Sequence, residues 1–187
     1  MSESKKNGYF EELKGVSPNS KDLLLSTGNY VDGLREGEWI TWDSDKKQNK
    51  KFIATYKKGL VDGPVTGFFK TGEIKWRIIY KKGKKEGVSR SFYKDGAVKE
   101  ECVYKNDRAN GLSRNYYRTG EVKWELNWLD NKPEGKLRCY YKSGKLKKEV
   151  CYAGGQPEGT ILEFDEDGNV LSKYEYATGE IRAKGEG

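Results

Sequence analysis

The sequence predicts an all-β protein, an elongated single-layer antiparallel meander of about six β-hairpin repeats of 24 residues each. Three observations lead to this prediction. Glycine recurs every 24 residues, at positions 63, 87, 111, 135 and 159. Residues at fixed offsets from these glycines repeat in type. The chain is 34% hydrophobic and 35% charged, with 13 Tyr and 5 Trp, which suits a thin sheet with two wet faces better than a thick aliphatic core.

Four further columns hold through five repeats when the recurring glycine is counted as position 0. Position 9 is Gly, position 5 is Phe or Tyr, position 11 is Ile, Val or Leu, and position 17 is Tyr or Trp. The repeat that begins at Gly37 has two extra residues in the turn at 43–50, and residues 23–37 resemble the second half of one more repeat. We therefore expect an N-terminal cap or flexible tail (1–22), a repeat array (23–182) and a C-terminal tail (183–187).

Each repeat is predicted to be one hairpin. The dipeptide at positions 8 and 9, such as Asp95-Gly96, separates two runs of alternating β-prone residues and favours a two-residue type I′ turn. In that register position 4 faces position 13, and position 6 faces position 11. One face, the better packed one, would then carry the position-6 rings with positions 11, 13, 15 and 17. The other would carry the position-5 rings with basic residues at positions 3, 7 and 12.

This second face is our candidate partner-binding stripe. Residues 63–158 hold 22 Lys and Arg against 12 Asp and Glu, so the positive charge is concentrated on four repeats. Cations interleaved with rings suit a polyanion. The alternative is structural: Lys and Arg stems cover exposed rings, and the acidic column at position 14 weakens the field. The stripe consists of Arg90, Arg114 and Arg138 (position 3), Phe92, Tyr116 and Tyr140 (position 5), Lys70, Lys94, Arg118 and Lys142 (position 7), and Lys75, Lys99, Lys123 and Lys147 (position 12).

Residue content argues against catalysis. The chain has no His and only 3 Cys, with no CxxC spacing, so His-based metal ligation and the usual base for a Ser or Cys nucleophile are missing. We expect no enzyme activity, no cofactor, no metal and no catalytic residues. No stretch approaches the roughly 18 apolar residues of a membrane span. The expected location is the cytoplasm, or the cell surface or periplasm if a leader has been removed.

The repeat unit resembles a known family. Residues 87–110 (GVSRSFYKDGAVKEECVYKNDRAN) and 111–134 (GLSRNYYRTGEVKWELNWLDNKPE) carry it most cleanly. They resemble the MORN repeat variant typical of bacterial YwqK-type proteins, which are described as antitoxin or immunity components. The likeness covers roughly residues 34–180 and implies a solenoid of hairpins without catalytic residues. The last repeat departs from the pattern at Asp165, Glu166 and Leu171.

Two functions follow as hypotheses. The resemblance implies a non-enzymatic protein-binding scaffold of the antitoxin or immunity kind, which binds and blocks a partner protein such as an acidic toxin or effector. An exposed aromatic face would supply the Tyr, Trp and Arg anchors that dominate protein interfaces. The alternative is a polyanion-binding module for anionic lipid, cell-wall polymer or, less favoured, nucleic acid. Its binding would weaken steeply with salt.

Overall fold

The computed structural model describes residues 5–15, 23–44, 47–177 and 180–183, and it is all-β over these ranges, with no helix. The chain divides into two compact units, residues 1–96 and 97–187. Within each unit, strands pair antiparallel with the strand that precedes them along the chain. Two strands, Gly87–Phe92 and Gly111–Tyr116, instead pair with the strand before the preceding two-residue strand. The predicted antiparallel meander of hairpins is therefore confirmed within each unit.

The described residues form seventeen strands in the two meanders. Unit 1 contains β1 (Gly8–Gly15), β2 (Leu23–Val31), β3 (Leu34–Trp42), β4 (Lys50–Lys57), β5 (Leu60–Phe68), β6 (Ile74–Lys81), β7 (Lys84–Lys85) and β8 (Gly87–Phe92). Unit 2 contains β9 (Val98–Lys105), β10 (Arg108–Ala109), β11 (Gly111–Tyr116), β12 (Val122–Leu129), β13 (Lys132–Tyr140), β14 (Leu146–Ala153), β15 (Gln156–Phe164), β16 (Val170–Ala177) and β17 (Glu180–Ala183).

The turn inside each repeat differs from the predicted one. In the β5–β6 hairpin the amide of Phe69 donates to the carbonyl of Glu73 (2.9 Å), and the amide of Gly72 donates back to Phe69 (3.0 Å). Gly72 has a positive φ of 100°, whereas Thr71 does not. A type I′ turn needs positive φ at both central residues, so the prediction is wrong. The turn has three residues and ends in a glycine bulge.

Type I′ turns lie between the repeats instead. Lys82 and Gly83, which join β6 to β7, have φ values of 50° and 82°, and the corresponding pairs before β3, β5, β10, β13 and β15 behave alike. These turns are also bonded to one another. The amide of Gly83 donates to the carbonyl of Val61 (2.7 Å), and that of Gly59 donates to Arg35 (2.9 Å). Each link is therefore a tight turn that fixes the spacing of successive repeats.

The position-0 glycine marks a bulge. The register between β4 and β5 shifts between Ala54 and Tyr56, opposite Gly63, whose φ is 125°. Side chains rarely adopt that φ, which explains why this column admits only glycine. The bulge resets the alternation of side chains at the start of every repeat.

Pairing within a repeat sorts the columns onto two faces. Gly67 faces Trp76, so the predicted pairing of positions 4 and 13 is confirmed. Phe68 then faces Ile74 after a one-residue shift, which means that position 5, and not position 6, pairs with position 11. The predicted 6–11 pair is wrong because the turn is one residue longer than expected. Positions 2, 4, 13, 15 and 17 share one face, the packed face, and positions 1, 3, 5, 14 and 16 share the other, the open face.

Most of the buried side chains lie on the packed face. In unit 1, Trp39 (position 2) is 1% exposed, and its ring makes edge contacts with Tyr30 at 5.1 Å and Tyr56 at 6.3 Å between centroids. The guanidinium of Arg35 lies 4.0 Å from the Trp39 ring. In unit 2 the same face buries Leu126, Val150 and Ile161. Rings and a cation thus replace the second layer that a thicker protein would have.

The structure describes part of the predicted N-terminal cap and part of the end of the predicted repeat array. Gly8–Gly15 forms β1 and pairs with β2 from Gly8↔Tyr30 to Gly15↔Leu23. Residues 1–4, 16–22 and 184–187 lie outside the described residues, so the boundaries at 22 and 182 stay predictions.

Candidate binding surfaces

The open face of unit 2 carries alternating acidic and basic side chains, which we call the Arg–Glu ladder (Glu101, Arg114, Glu125, Arg138 and Glu149). Arg114 is the Cα partner of both Glu101 and Glu125, and its Nε lies 3.1 Å from a Glu125 carboxylate oxygen. Arg138 repeats the contact with Glu149 at 3.0 Å. The position-3 arginines of unit 2 are thus largely neutralised by the acidic column at position 14.

The position-5 rings complete the ladder. The hydroxyl of Tyr116 donates to Glu101 at 2.8 Å, and that of Tyr140 donates to Glu125 at 2.8 Å. Each of these tyrosines thereby joins one repeat to the preceding one. The prediction that positions 3 and 5 share a face is confirmed, and their contacts show a structural use for both columns in unit 2.

These contacts shift the titration of the ladder. Burial alone would raise the pKa of Glu125, but hydrogen bonds from Tyr140 and Arg114 outweigh it and lower the pKa below its usual range. The pKa of Glu149 is lowered mainly by the hydrogen bond from Lys136, and also by Arg138, against an opposing effect of burial. Burial, followed by the bond to Glu125, raises the pKa of Tyr140. The ladder is therefore held in its charged form near neutral pH.

Unit 2 should lose stability in acid for this reason. A carboxylate whose pKa is lowered by folding contributes stability above its unfolded pKa, about 4.3 for Glu, and loses it as the pH falls through the folded value. We expect urea unfolding at about pH 3.5 to show a larger loss, relative to about pH 6, in the natural chain than in the Glu125→Gln, Glu149→Gln variant. Glu158→Gln, an exposed control in the same unit, should behave like the natural chain. Equal pH dependence in all three would contradict the role of the ladder.

In unit 2 the bases at positions 7 and 12 lie beside the position-6 rings. Lys123 (position 12) and Lys142 (position 7 of the next repeat) lie 5.9 and 6.0 Å from the centroid of Tyr117, a position-6 ring. Lys147 lies 5.2 Å from Tyr141. The prediction that these bases share a surface with the position-5 rings is wrong in unit 2, because the longer turn shifts everything between positions 6 and 12. We call these three lysines, with Tyr117 and Tyr141, the Lys–Tyr row.

The tyrosine hydroxyls of the Lys–Tyr row form hydrogen bonds between repeats. Tyr117 donates to the carbonyl of Tyr140 at 2.8 Å, and Tyr141 donates to that of Phe164 at 2.7 Å, each bond reaching the next repeat. In unit 1, Lys75 lies 5.9 Å from the ring of Phe69 in the same arrangement. The remaining members of the predicted stripe are placed as follows: Arg90 and Phe92 lie on β8, Lys99 lies on β9, and Lys70, Lys94 and Arg118 lie in the turns between strands.

Unit 1 has a different open face. A groove of about 650 Å³ is lined by Ile53, Pro64, Phe68, Ile74 and Ile79 together with Glu38, Thr55, Thr66 and Arg77. We call it the isoleucine groove. Ile79 is 37% exposed, although its side chain is aliphatic. The repeat pattern does not reveal the groove, because Ile53 departs from the acidic column at position 14 and the residue type at position 16, where Ile79 lies, does not repeat.

Arg77 gives the isoleucine groove a charge. It occupies position 14, where the ladder of unit 2 has glutamate, and its Nε donates to Thr66 at 3.3 Å. Among the described residues it forms no ion pair. The groove therefore combines apolar surface with a cation that has no carboxylate partner in the described part of the chain.

The described residues contain three free thiols and no cluster of metal-ligating side chains. No cluster of three or more Cys, Asp and Glu within 5–15, 23–44, 47–177 and 180–183 could hold a metal ion. Cys102, Cys139 and Cys151 are half-buried free thiols, and burial raises the pKa of Cys139.

No helix in the described segments is long and apolar enough to cross a bilayer.

Comparison with known families agrees with the hairpin geometry. The MORN repeat variant model matches residues 85–106, 133–153 and 157–185. These three segments are similar to MORN repeats, which are generally non-catalytic modules that bind proteins or membranes. Each matched segment contains a position-0 glycine (Gly87, Gly135 or Gly159) and the glycine of the turn inside that repeat (Gly96, Gly144 or Gly168). No curated protein matches the chain.

Proposed function

We propose that this protein is a non-enzymatic protein-binding scaffold of the antitoxin or immunity kind, which blocks a partner protein by covering part of its surface. The isoleucine groove carries the proposal. Exposed contiguous apolar surface with a polar rim is typical of protein interfaces. The likeness to the MORN repeat variant of antitoxin and immunity proteins supports the finer assignment.

The groove also indicates what the partner presents. Ile53, Ile74 and Ile79 would receive aliphatic or aromatic side chains, and Arg77 would receive a carboxylate. Such a charged pair gains strength when the surrounding apolar surface excludes water. The excess of Lys and Arg over residues 63–158 would steer an acidic protein toward this surface. The partner we propose is therefore an acidic protein with an apolar anchor residue.

A negative charge introduced into the isoleucine groove should abolish the complex with the partner protein. We expect the natural chain, purified from its host, to elute with one partner in a fixed ratio, and Ile79→Glu or Arg77→Glu to lose at least about 90% of it, since central interface changes cost 2 kcal/mol or more. The matched control is Val170→Glu, which places the same charge at a residue 55% exposed outside the groove. It should retain the partner.

Growth separates an antitoxin from a general scaffold. Expression of the captured partner alone should arrest growth, and co-expression of the natural chain, but not of Ile79→Glu, should restore it. A partner that binds without arresting growth would support a protein-binding scaffold and contradict the antitoxin role. Loss of the partner in Val170→Glu as well, or its retention in both groove variants, would contradict docking at the groove.

The Lys–Tyr row favours polyanion binding as a second candidate. Lys123, Lys142 and Lys147 are exposed, and no carboxylate pairs with them among the described residues. The arginine column gives weaker support than the sequence suggested, because the ladder neutralises Arg114 and Arg138. Heparin binding that weakens steeply as salt rises, and that is lost when the three lysines become alanine, would favour this function instead.

A further inference from the structure

A second recess in unit 1 lies at the turn end of the hairpins and is distinct from the isoleucine groove, although Phe68 contributes to both. Phe52, Gly67 and Trp76 are Cα partners across β4, β5 and β6. A Cβ atom on Gly67 would lie 2.2 Å from the Trp76 ring, so that ring rests directly on the glycine backbone. Because Gly67 has no side chain, the Trp76 ring can lie flat on the sheet and form the floor of the recess.

The resulting cavity has a volume of about 320 Å³. The described residues that line it are Phe52, Phe68 and Trp76, Asp43 and Asn49, and four lysines: Lys50, Lys51, Lys70 and Lys75. Because one face of the Trp76 ring lies against Gly67, the other face is the one that can receive a ligand. We call this cavity the lysine pocket.

Charge distinguishes the lysine pocket from an ordinary surface recess. Four lysines and one carboxylate are among the described residues that line it, and that carboxylate, on Asp43, accepts a hydrogen bond from the Asn49 amide at 3.2 Å. None of the four lysines forms an ion pair with another residue of the described ranges. The pocket therefore lacks several negative charges that a ligand could supply.

We propose that the lysine pocket binds a nucleoside phosphate, with the base stacked on Trp76 and the phosphates among the lysines. Base–aromatic stacking tolerates any base, and ammonium groups bind phosphate as point charges. Asp43 and Asn49 can bond to the edge of the base, since they offer both an acceptor and a donor. The cavity is at the small end of ligand sites, which suits one nucleotide.

Two sources could supply this chemistry: a free nucleotide, or the terminal nucleotide of a nucleic acid strand. Titration calorimetry on the full chain with adenosine 5′-diphosphate tests the first, and a 5′-phosphorylated oligoadenylate against its unphosphorylated form tests the second. We expect the diphosphate to bind at least about tenfold more tightly than adenosine or inorganic pyrophosphate alone, because stacking and charge act together. If the 5′-phosphorylated strand binds more tightly than adenosine 5′-diphosphate and the unphosphorylated strand does not, the source is the end of a nucleic acid.

Matched charge variants locate the binding. Lys51→Ala, Lys70→Ala, Lys75→Ala should weaken adenosine diphosphate about tenfold or more, whereas Lys57→Ala, Lys81→Ala, Lys84→Ala should change it less than about twofold. Both triple variants remove three exposed lysines from unit 1. Trp76→Leu should remove stacking, with folding verified by circular dichroism.

Three outcomes would overturn the proposal. The first is no binding of any nucleotide by the natural chain. The second is an equal loss in both lysine triple variants, which would mean that general charge attracts the ligand. The third is an acidic peptide that binds the lysine pocket as tightly as the nucleotide, which would assign it to a protein partner.

Discussion

Replacing Trp39 with alanine should lower the free energy of unfolding of unit 1 by about 3–5 kcal/mol, the usual cost of deleting a buried tryptophan side chain. Trp39 is 1% exposed, and its Nε1 donates to the Asn29 carbonyl at 3.0 Å. A Cβ on Gly28 would lie 2.4 Å from the ring, which shows that the indole covers that glycine backbone. Its loss would expose the glycine and remove one of the two ring contacts of Arg35.

Hydrogen exchange can localise this effect. In a repeat protein each hairpin contacts mainly its neighbours, so faster exchange should be confined to strands of unit 1 around β3. Leu34→Ala is the control on the same strand, since Leu34 is 47% exposed and its loss should change stability by no more than about 0.5 kcal/mol. A Trp39→Ala variant as stable as Leu34→Ala would show that the packed face of unit 1 is not its core.

Leu126→Ala should destabilise unit 2 by about 2–3 kcal/mol, the lower part of the range for buried leucine because a thin sheet can relax around the gap. Leu126 is 6% exposed and lies at position 15, the column that also buries Val150. Urea unfolding monitored by circular dichroism measures the loss.

The control for Leu126 lies three residues further along β12. Leu129 is 54% exposed, so Leu129→Ala should change the unfolding free energy by no more than about 0.5 kcal/mol. The two variants remove the same atoms from the same strand and differ only in burial. Equal losses would contradict the division of the repeat into a packed and an open face.

Much of the fold could be predicted because glycine, ring and aliphatic columns repeat with a fixed period. The turn could not, since Asp95-Gly96 is compatible with a two-residue turn and with a three-residue turn that ends in glycine. Asn106-Asp107 and Asp130-Asn131, the pairs between repeats, were the better signal for type I′ turns, because both members tolerate positive φ. The one-residue difference then moved Lys123 and Lys142 to a different ring.

The candidate surfaces were harder to predict for a physical reason. Columns that repeat identify the contacts that hold each hairpin to its neighbours. The Arg–Glu ladder and the hydrogen bonds from the hydroxyls of Tyr117 and Tyr141 are contacts of this kind. Partner-specific surface arises where a repeat departs from its neighbours. Such departures are Arg77 in place of glutamate and Ile53 in place of a polar residue. In the sequence they look the same as substitutions that have no effect on binding.

Hydroxyl-radical footprinting of the complex with the captured partner tests the central claim, that the packed face holds the repeats together while the open face of unit 1 binds. Binding should protect the side chains of Ile53, Ile74 and Ile79 and leave the rate at Leu171, which is 64% exposed, unchanged. Protection confined to other side chains, with the three isoleucines as reactive as in the protein alone, would contradict it.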